Sequence, residues 1–428
     1  MRRLAQARLI GATCLLSALI GSGHAAPDED RLGRSQGYPV GTARSWFTDE
    51  SVRVGSFTHL QLIPGILRGK SVELAPAEQP LTLEKSATEP PYRWSVRNQG
   101  GLDIDAYMQR QRVMALLIIK DGRLEVERYQ YGRKPEHRFL SNSMAKSITA
   151  LAIGIAVREG RIESLQDRAD KYATALRGTL YGETTIQNLL RMGSGAKFEE
   201  RYDGRDDLAR FNGAADLRGL EAGAAVITER VAQQGRRFNY ASAETYMLAA
   251  VLRAATGMGV SQYVESRLWK PMGAQDSAFW RTDQTGLEAA AGFFSATARD
   301  YARLGWLLAN DGQRPDKPEL GEIVPREFLL NATDWRRHDP AFQPRQANFY
   351  FGYGYQFWTF PTEPRRFALL GVFGQSIYVD PALKLVMVHL AADASPNPSQ
   401  TTMGLERDAL WRGLVAHYGR WDAGRFAR

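Results

Sequence analysis

A hydroxyl and an amine three residues apart are the first sign of chemistry in this chain. Ser143-Met144-Ala145-Lys146 heads an apolar segment that runs through Ala150, Leu151, Ile153 and Ile155 to Gly160. On a helix, positions i and i+3 share a face, so the two side chains would lie together. A serine hydroxyl is a weak nucleophile and requires an adjacent base. A lysine partly withdrawn from water gives up its proton more readily and can be that base. The start of a helix also offers free N–H groups to a developing oxyanion. The plainer reading of the same residues is a serine that merely caps a helix.

Two more segments carry candidate groups. Phe238-Asn239-Tyr240-Ala241-Ser242 precedes a long apolar-periodic stretch. A tyrosine at such a corner can project into a cleft and, beside Lys146, act as a phenolate or proton shuttle; otherwise it packs or caps. Gly371-Val372-Phe373-Gly374-Gln375 leads into a strand. Glycines there let a backbone N–H come close to a substrate, or simply make a turn.

The elements that must position these groups follow from the apolar pattern. Val113 to Ile119 and Leu124 to Tyr131, joined through Lys120-Asp121-Gly122, predict a β-hairpin. The helix carrying Ser143 comes next. Between about residues 160 and 312 the pattern is mostly helical, with helices over Thr185 to Met192, Ala241 to Thr256, Ser261 to Trp269 and Thr297 to Leu308. Tyr350 to Phe360, Phe367 to Phe373, Ser376 to Asp380 and Leu383 to Ala391 then read as strands, and Met403 to His417 as a closing helix. Strands at both ends with helices between predict an α+β fold: one antiparallel sheet built from both chain ends, flanked by helices, with a mainly helical lobe inserted. A site is expected in the cleft between the lobes.

The chain has 428 residues, enough for one large two-lobed domain or two domains. Residues 1–26 join Arg2, Arg3 and Arg8 to a short apolar run and small residues ending at Ala25-Ala26. That pattern predicts a cleavable signal peptide and a periplasmic or secreted protein with no stable membrane insertion. The competing reading is an uncleaved anchor. The single cysteine, Cys14, lies in that leader, so the mature chain has no disulfide or thiol nucleophile. Residues 27–105 read as a loop-rich extension and 106–428 as the main domain. The net charge is +8, or +5 without the leader's three arginines, and it is spread out rather than striped with aromatics, which disfavours nucleic-acid binding. The histidines show no metal-ligand spacing, so neither metal nor cofactor is expected. His389 falls in a strand and is expected to be packed. No G-x-S-x-G elbow is present.

Taken together and in this order, the three segments resemble those of the serine β-lactamase and penicillin-binding-protein superfamily, in its class C-like esterase branch, with 6-aminohexanoate-dimer hydrolases as the most similar subgroup. Leu117 to Gly132, Thr185 to Gly195, Trp269 to Gly273 and Ala296 to Gly305 resemble further landmarks. The resemblance implies an acylated nucleophile at Ser143, its proton acceptor at Lys146, a proton relay at Tyr240 and a polar partner at Ser242. It implies an oxyanion hole made by the N–H groups of Ser143 and Gln375, with Gly374 as the alternative donor. Where lactamases carry Lys-Thr-Gly, this chain has Val372-Phe373-Gly374. The missing cation argues against a β-lactam carboxylate, and the apolar pair argues for an uncharged acyl side. Tyr202, in Phe198 to Asp203, is the candidate for the tyrosine that contacts a scissile amide in the amide-cleaving subgroup. Asp203, Asp206 and Asp207 beside it read as a solvated acidic loop or as an attractor for a cationic substrate end. The expected activity is ester or amide hydrolysis through an acyl-enzyme on a small-molecule substrate. The alternatives are a β-lactamase or penicillin-binding peptidase, and a non-catalytic binding protein on the same fold.

Overall fold

The computed structural model describes residues 26–427; the expected leader falls on residues 1–25, outside them, apart from its last residue. The main sheet has seven antiparallel strands, in spatial order Arg123–Tyr129, Val113–Lys120, Leu385–Ala391, Gln375–Asp380, Phe367–Gly371, Trp358–Thr359 and Gly352–Tyr353. The early hairpin therefore lies beside the C-terminal strands, as the pattern predicts, with Lys120 opposite Leu385 and Leu116 opposite His389. Asp121 (φ 50°) and Gly122 (φ 81°) both take left-handed conformations, the requirement of the tight turn that joins the hairpin.

Both faces of this sheet are covered, which explains why the strand Val113–Lys120 is an unbroken apolar run as far as Ile119 rather than an alternating one. Leu117, Ile119, Leu369, Ile377, Val386 and Val388 belong to one core, beneath the helices Met144–Arg158 and Ala298–Ala309. Leu116, Ile118, Ala368, Tyr378, Leu385 and Met387 belong to the other, beneath the closing helix Met403–Tyr418. A period of two thus sends alternate residues into different cores.

A second sheet differs from the expectation of a helical middle. Its four antiparallel strands are ordered Arg68–Leu74, Ala278–Asp283, Phe294–Thr297 and Arg138–Leu140. The first strand comes from the segment read as loop-rich, and it pairs with residues about 200 positions away, Leu74 with Ala278. That pairing is long-range and leaves little local trace. The helix Ala298–Ala309, in the span assigned to the inserted lobe, packs instead on the main sheet. Capping supports the helices: Thr185 and Thr297 accept hydrogen bonds from Asn188 and Asp300, and Gly257 (φ 71°) ends Ser242–Thr256.

Gly305 is the point where the helix Ala298–Ala309 touches the sheet. A Cβ there would meet Val386 Cγ1 at 2.4 Å and Ile377 Cγ2 at 3.0 Å. Gly305→Val should therefore destabilise the fold by about 1–3 kcal/mol, read as a lower midpoint in thermal unfolding.

Candidate active site

Ser143 is the N-cap residue of the helix Met144–Arg158, yet its side chain caps nothing. The hydroxyl is left for Lys146, whose Nζ lies 2.9 Å from Ser143 Oγ. Among the described residues no group accepts the Ser143 backbone N–H. The residue before it, Asn142, is held at φ 45°, a left-handed kink that turns the chain into the helix.

Lys146 is 1 % exposed. Its amine also donates to the Ala291 carbonyl oxygen at 2.7 Å and sits 5.1 Å from the centre of the Tyr240 ring. Burial pushes its pKa down to about 8, with the charge of Glu200 acting in the opposite direction. The Ala291 carbonyl belongs to a tight turn whose other oxygens are also claimed: Trp280 Nε1 donates to Ala289 and Gly292, and Thr149 Oγ1 to Ala290. The turn thus offers a fixed oxygen where an amine loses water.

Tyr240 is half-buried, with its ring stacked on Trp358 at a centroid distance of 5.7 Å. Its phenol hydroxyl interacts with the Ser143 side chain. Burial raises its pKa, and the charge of Glu200 adds to that, so the resting group is a neutral phenol rather than a phenolate. The corner that carries it is pinned by Asn239, whose side chain donates to the carbonyls of Ala196 and Phe198 and whose N–H donates to Met192. Ser143, Lys146 and Tyr240 are thereby brought together from segments almost 100 residues apart.

The remaining candidates divide. Ser143, Tyr202, Ser242 and Val372 line one cavity of about 400 Å³. Gln375 does not: its side chain is fully buried and exchanges hydrogen bonds with the backbone of Ala391 behind the sheet. Val372 lines the same cavity as Ser143. Its carbonyl receives the Asn142 side chain at 3.0 Å, which ties this backbone to the residue before the nucleophile. Gln375 is therefore replaced by Val372 as the candidate oxyanion donor. The register explains the shift: the strand Phe367–Gly371 ends one residue before Val372, and Gln375 already starts the return strand. A Cβ on Gly371 would meet Ser141 O at 2.6 Å, so glycine is what lets this strand end lie against the nucleophile's loop.

Phe373 and Gly374, expected to touch substrate, also point elsewhere. Phe373 is 2 % exposed and packs on Phe47, Phe57 and the Arg53 guanidinium. Gly374 lies under Met403, and its carbonyl contacts the buried His389 ring. His389 bridges to Tyr107 and is packed, as expected for a strand residue.

Sequence reasoning missed much of the cavity wall. Trp46, Phe47 and Thr48 come from the segment read as a loop-rich extension, and Phe293 from the turn that holds Lys146. Glu200 stands beside the expected Tyr202. It receives hydrogen bonds from the Tyr202 hydroxyl (2.6 Å), the Ser242 hydroxyl (2.8 Å) and the Ser242 N–H (2.7 Å). The paired aromatics Trp46-Phe47 in an otherwise polar stretch were the one available signal. Among the described residues that line the cavity, Glu200, Asp203 and Asp206 are acidic and none is Arg, Lys or His.

Comparison with known proteins decides the family. The Beta-lactamase family model matches residues 103–409, well over half of the chain. The chain belongs to the β-lactamase family. It is a serine hydrolase of that family. A 6-aminohexanoate-dimer hydrolase of Paenarthrobacter ureafaciens is 26 % identical over 344 residues, 79 % of this chain and 84 % of the relative. A solved structure of a candidate 6-aminohexanoate-dimer hydrolase from Bacillus anthracis superposes with a TM-score of 0.76 at 24 % identity, covering 88 % of this chain and 96 % of that one. EstCE1, a hydrolase with promiscuous acyltransferase activity, gives a TM-score of 0.55 at 15 % identity, covering 72 % of this chain and 96 % of that one. The two structures establish likeness of fold.

The buried amine of this β-lactamase-family hydrolase sets two expectations. Activity that needs a neutral Lys146 should rise with pH through about 8, seen in the pH profile of kcat/KM. Unfolded, the lysine returns to its ordinary value of 10.5, so below pH 8 the folded chain carries a desolvation cost that is relieved as pH rises from 8 to 10.5. Lys146→Met should abolish activity while raising stability at neutral pH by roughly 1–3 kcal/mol, measured by denaturant unfolding.

Proposed function

We propose that the enzyme hydrolyses an uncharged or cationic ester or amide through an acyl-enzyme on Ser143. The observation that carries the reading is the contact of Lys146 Nζ with Ser143 Oγ at 2.9 Å, in a site where burial holds the lysine near pKa 8. Neutral Lys146 takes the hydroxyl proton as Ser143 Oγ bonds to the substrate carbonyl carbon. The carbonyl oxygen becomes an oxyanion between the N–H groups of Ser143 and Val372. Tyr240 gives its phenol proton to the departing alcohol or amine and regains one from the Lys146 ammonium. Water then adds to the acyl carbon, loses its proton to the same pair, and Ser143 leaves with a proton as the acid is released. Tyr202, at the cavity wall, is the group proposed to meet a scissile amide N–H.

The charge of the cavity supports the substrate class. Its wall carries Glu200, Asp203 and Asp206 and, among the described residues, no basic residue; Asp203 pairs with Arg201, but Glu200 and Asp206 are held by uncharged donors, so a carboxylate-bearing β-lactam or peptide end is disfavoured. The curated relative is named for an amide-cleaving activity, and amide cleavage is proposed here on that likeness together with Tyr202. We further propose export through the N-terminal leader, residues 27–105 as an extension that completes the cavity wall, and a catalytic domain over residues 106–428.

Ser143→Ala should abolish turnover of p-nitrophenyl esters and labelling by a fluorophosphonate probe; unchanged turnover would refute the assignment. Tyr202→Phe should leave ester turnover within about threefold but reduce cleavage of linear amides by about 10-fold or more. Nitrocefin turnover should be slow beside that of a short-chain ester, and fast turnover would favour the β-lactamase alternative.

A further inference from the structure

We propose that Glu200 is a positioning residue: its carboxylate fixes Tyr202 and Ser242 at the cavity wall, and its negative charge stabilises Lys146 when that amine becomes an ammonium. The proposal rests on the Ser143–Lys146 acyl-enzyme reading above and goes beyond it, because Glu200 need not touch the reacting atoms.

The geometry singles this residue out. One oxygen of Glu200 accepts both the Tyr202 hydroxyl at 2.6 Å and the Ser242 hydroxyl at 2.8 Å. The other accepts the Ser242 backbone N–H at 2.7 Å, the first of the helix Ser242–Thr256, where a negative charge is favoured. Three donors hold the carboxylate, and all are uncharged. The adjacent cation, Arg201, pairs with Glu199 and Asp203 instead. The charge is therefore not cancelled by a salt bridge and acts inside the site.

The groups that face it show where it acts. Lys146 is met by the Ser143 hydroxyl, the Ala291 carbonyl and the Tyr240 ring. Among the described residues no carboxylate contacts Lys146, and the charge of Glu200, held on Ser242 two positions beyond Tyr240, favours the ammonium. The same charge disfavours phenolate at Tyr202, Tyr240, Tyr246 and Tyr353. A single carboxylate thus pushes the proton inventory of the site toward ammonium and neutral phenol. That is the state reached when Ser143 has given up its proton and Tyr240 still holds the one it must deliver to the leaving group.

The test is the pH profile of p-nitrophenyl ester hydrolysis by wild type, Glu200→Gln and Glu200→Asp. Glu200→Gln should move the acid limb of kcat/KM down by about one pH unit, because Lys146 loses the charge that favours its protonated form, and should lower the plateau kcat by about 10-fold with little change in KM. Glu200→Asp keeps the charge on a shorter stem; it should retain the wild-type limb while kcat falls by about threefold or more. An unmoved limb in a folded Glu200→Gln protein overturns the proposal. If that variant does not fold, a Glu200→Asp protein equal to wild type in kcat overturns it, and a lowered kcat at an unshifted limb supports it. Fluorophosphonate labelling of wild type, lost in Ser143→Ala, separates failure here from failure of the acyl-enzyme reading.

Discussion

A lysine amine with almost no access to water is the constraint around which this site is arranged. Lys146 sits on a helix whose first thirteen residues are all buried, and only 1 % of it is exposed. Its partners are the Ala291 carbonyl, the Ser143 hydroxyl and the face of the Tyr240 ring. Charge in such a place is expensive, and the cost appears as a lowered pKa. The same cost makes the amine a base of useful strength near neutral pH, whereas an exposed lysine would remain protonated.

The scaffold tolerates that cost because the polar groups around the amine are held by others. Trp280 and Thr149 bind the neighbouring carbonyls of the turn that carries Ala291. Asn239 ties the Tyr240 corner to residues 196 and 198. Asn142 joins the nucleophile's loop to the strand end at Val372, across a contact that only Gly371 permits. Each is a hydrogen bond or close approach between distant segments, and each fixes one wall of the site before substrate arrives.

The cavity pairs apolar walls with a carboxylate that, among the described residues, no cation pairs. Trp46, Phe47, Phe293 and Val372 supply apolar surface, while Glu200 supplies a charge held by uncharged donors. Val372 stands in that wall as an uncharged side chain.

The sheet formed from both chain ends was legible in the chain alone, because unbroken apolar runs and an Asp-Gly pair between them are local features. The segments that hold Ser143, Lys146 and Tyr240 were legible as candidates through their joint resemblance to a known family's motifs, not through periodicity alone. Tertiary structure alone decided the second sheet, whose first strand finds its partner some 200 residues away. It decided that the loop-rich N-terminal segment supplies Trp46 and Phe47 to the cavity. It exchanged Gln375 for Val372 as the candidate oxyanion donor, since strand pairing sets where Phe367–Gly371 ends. It also decided which carboxylate of an acidic stretch, Glu200, is fixed at the cavity wall, because charge type is written in the chain but proximity is made by packing.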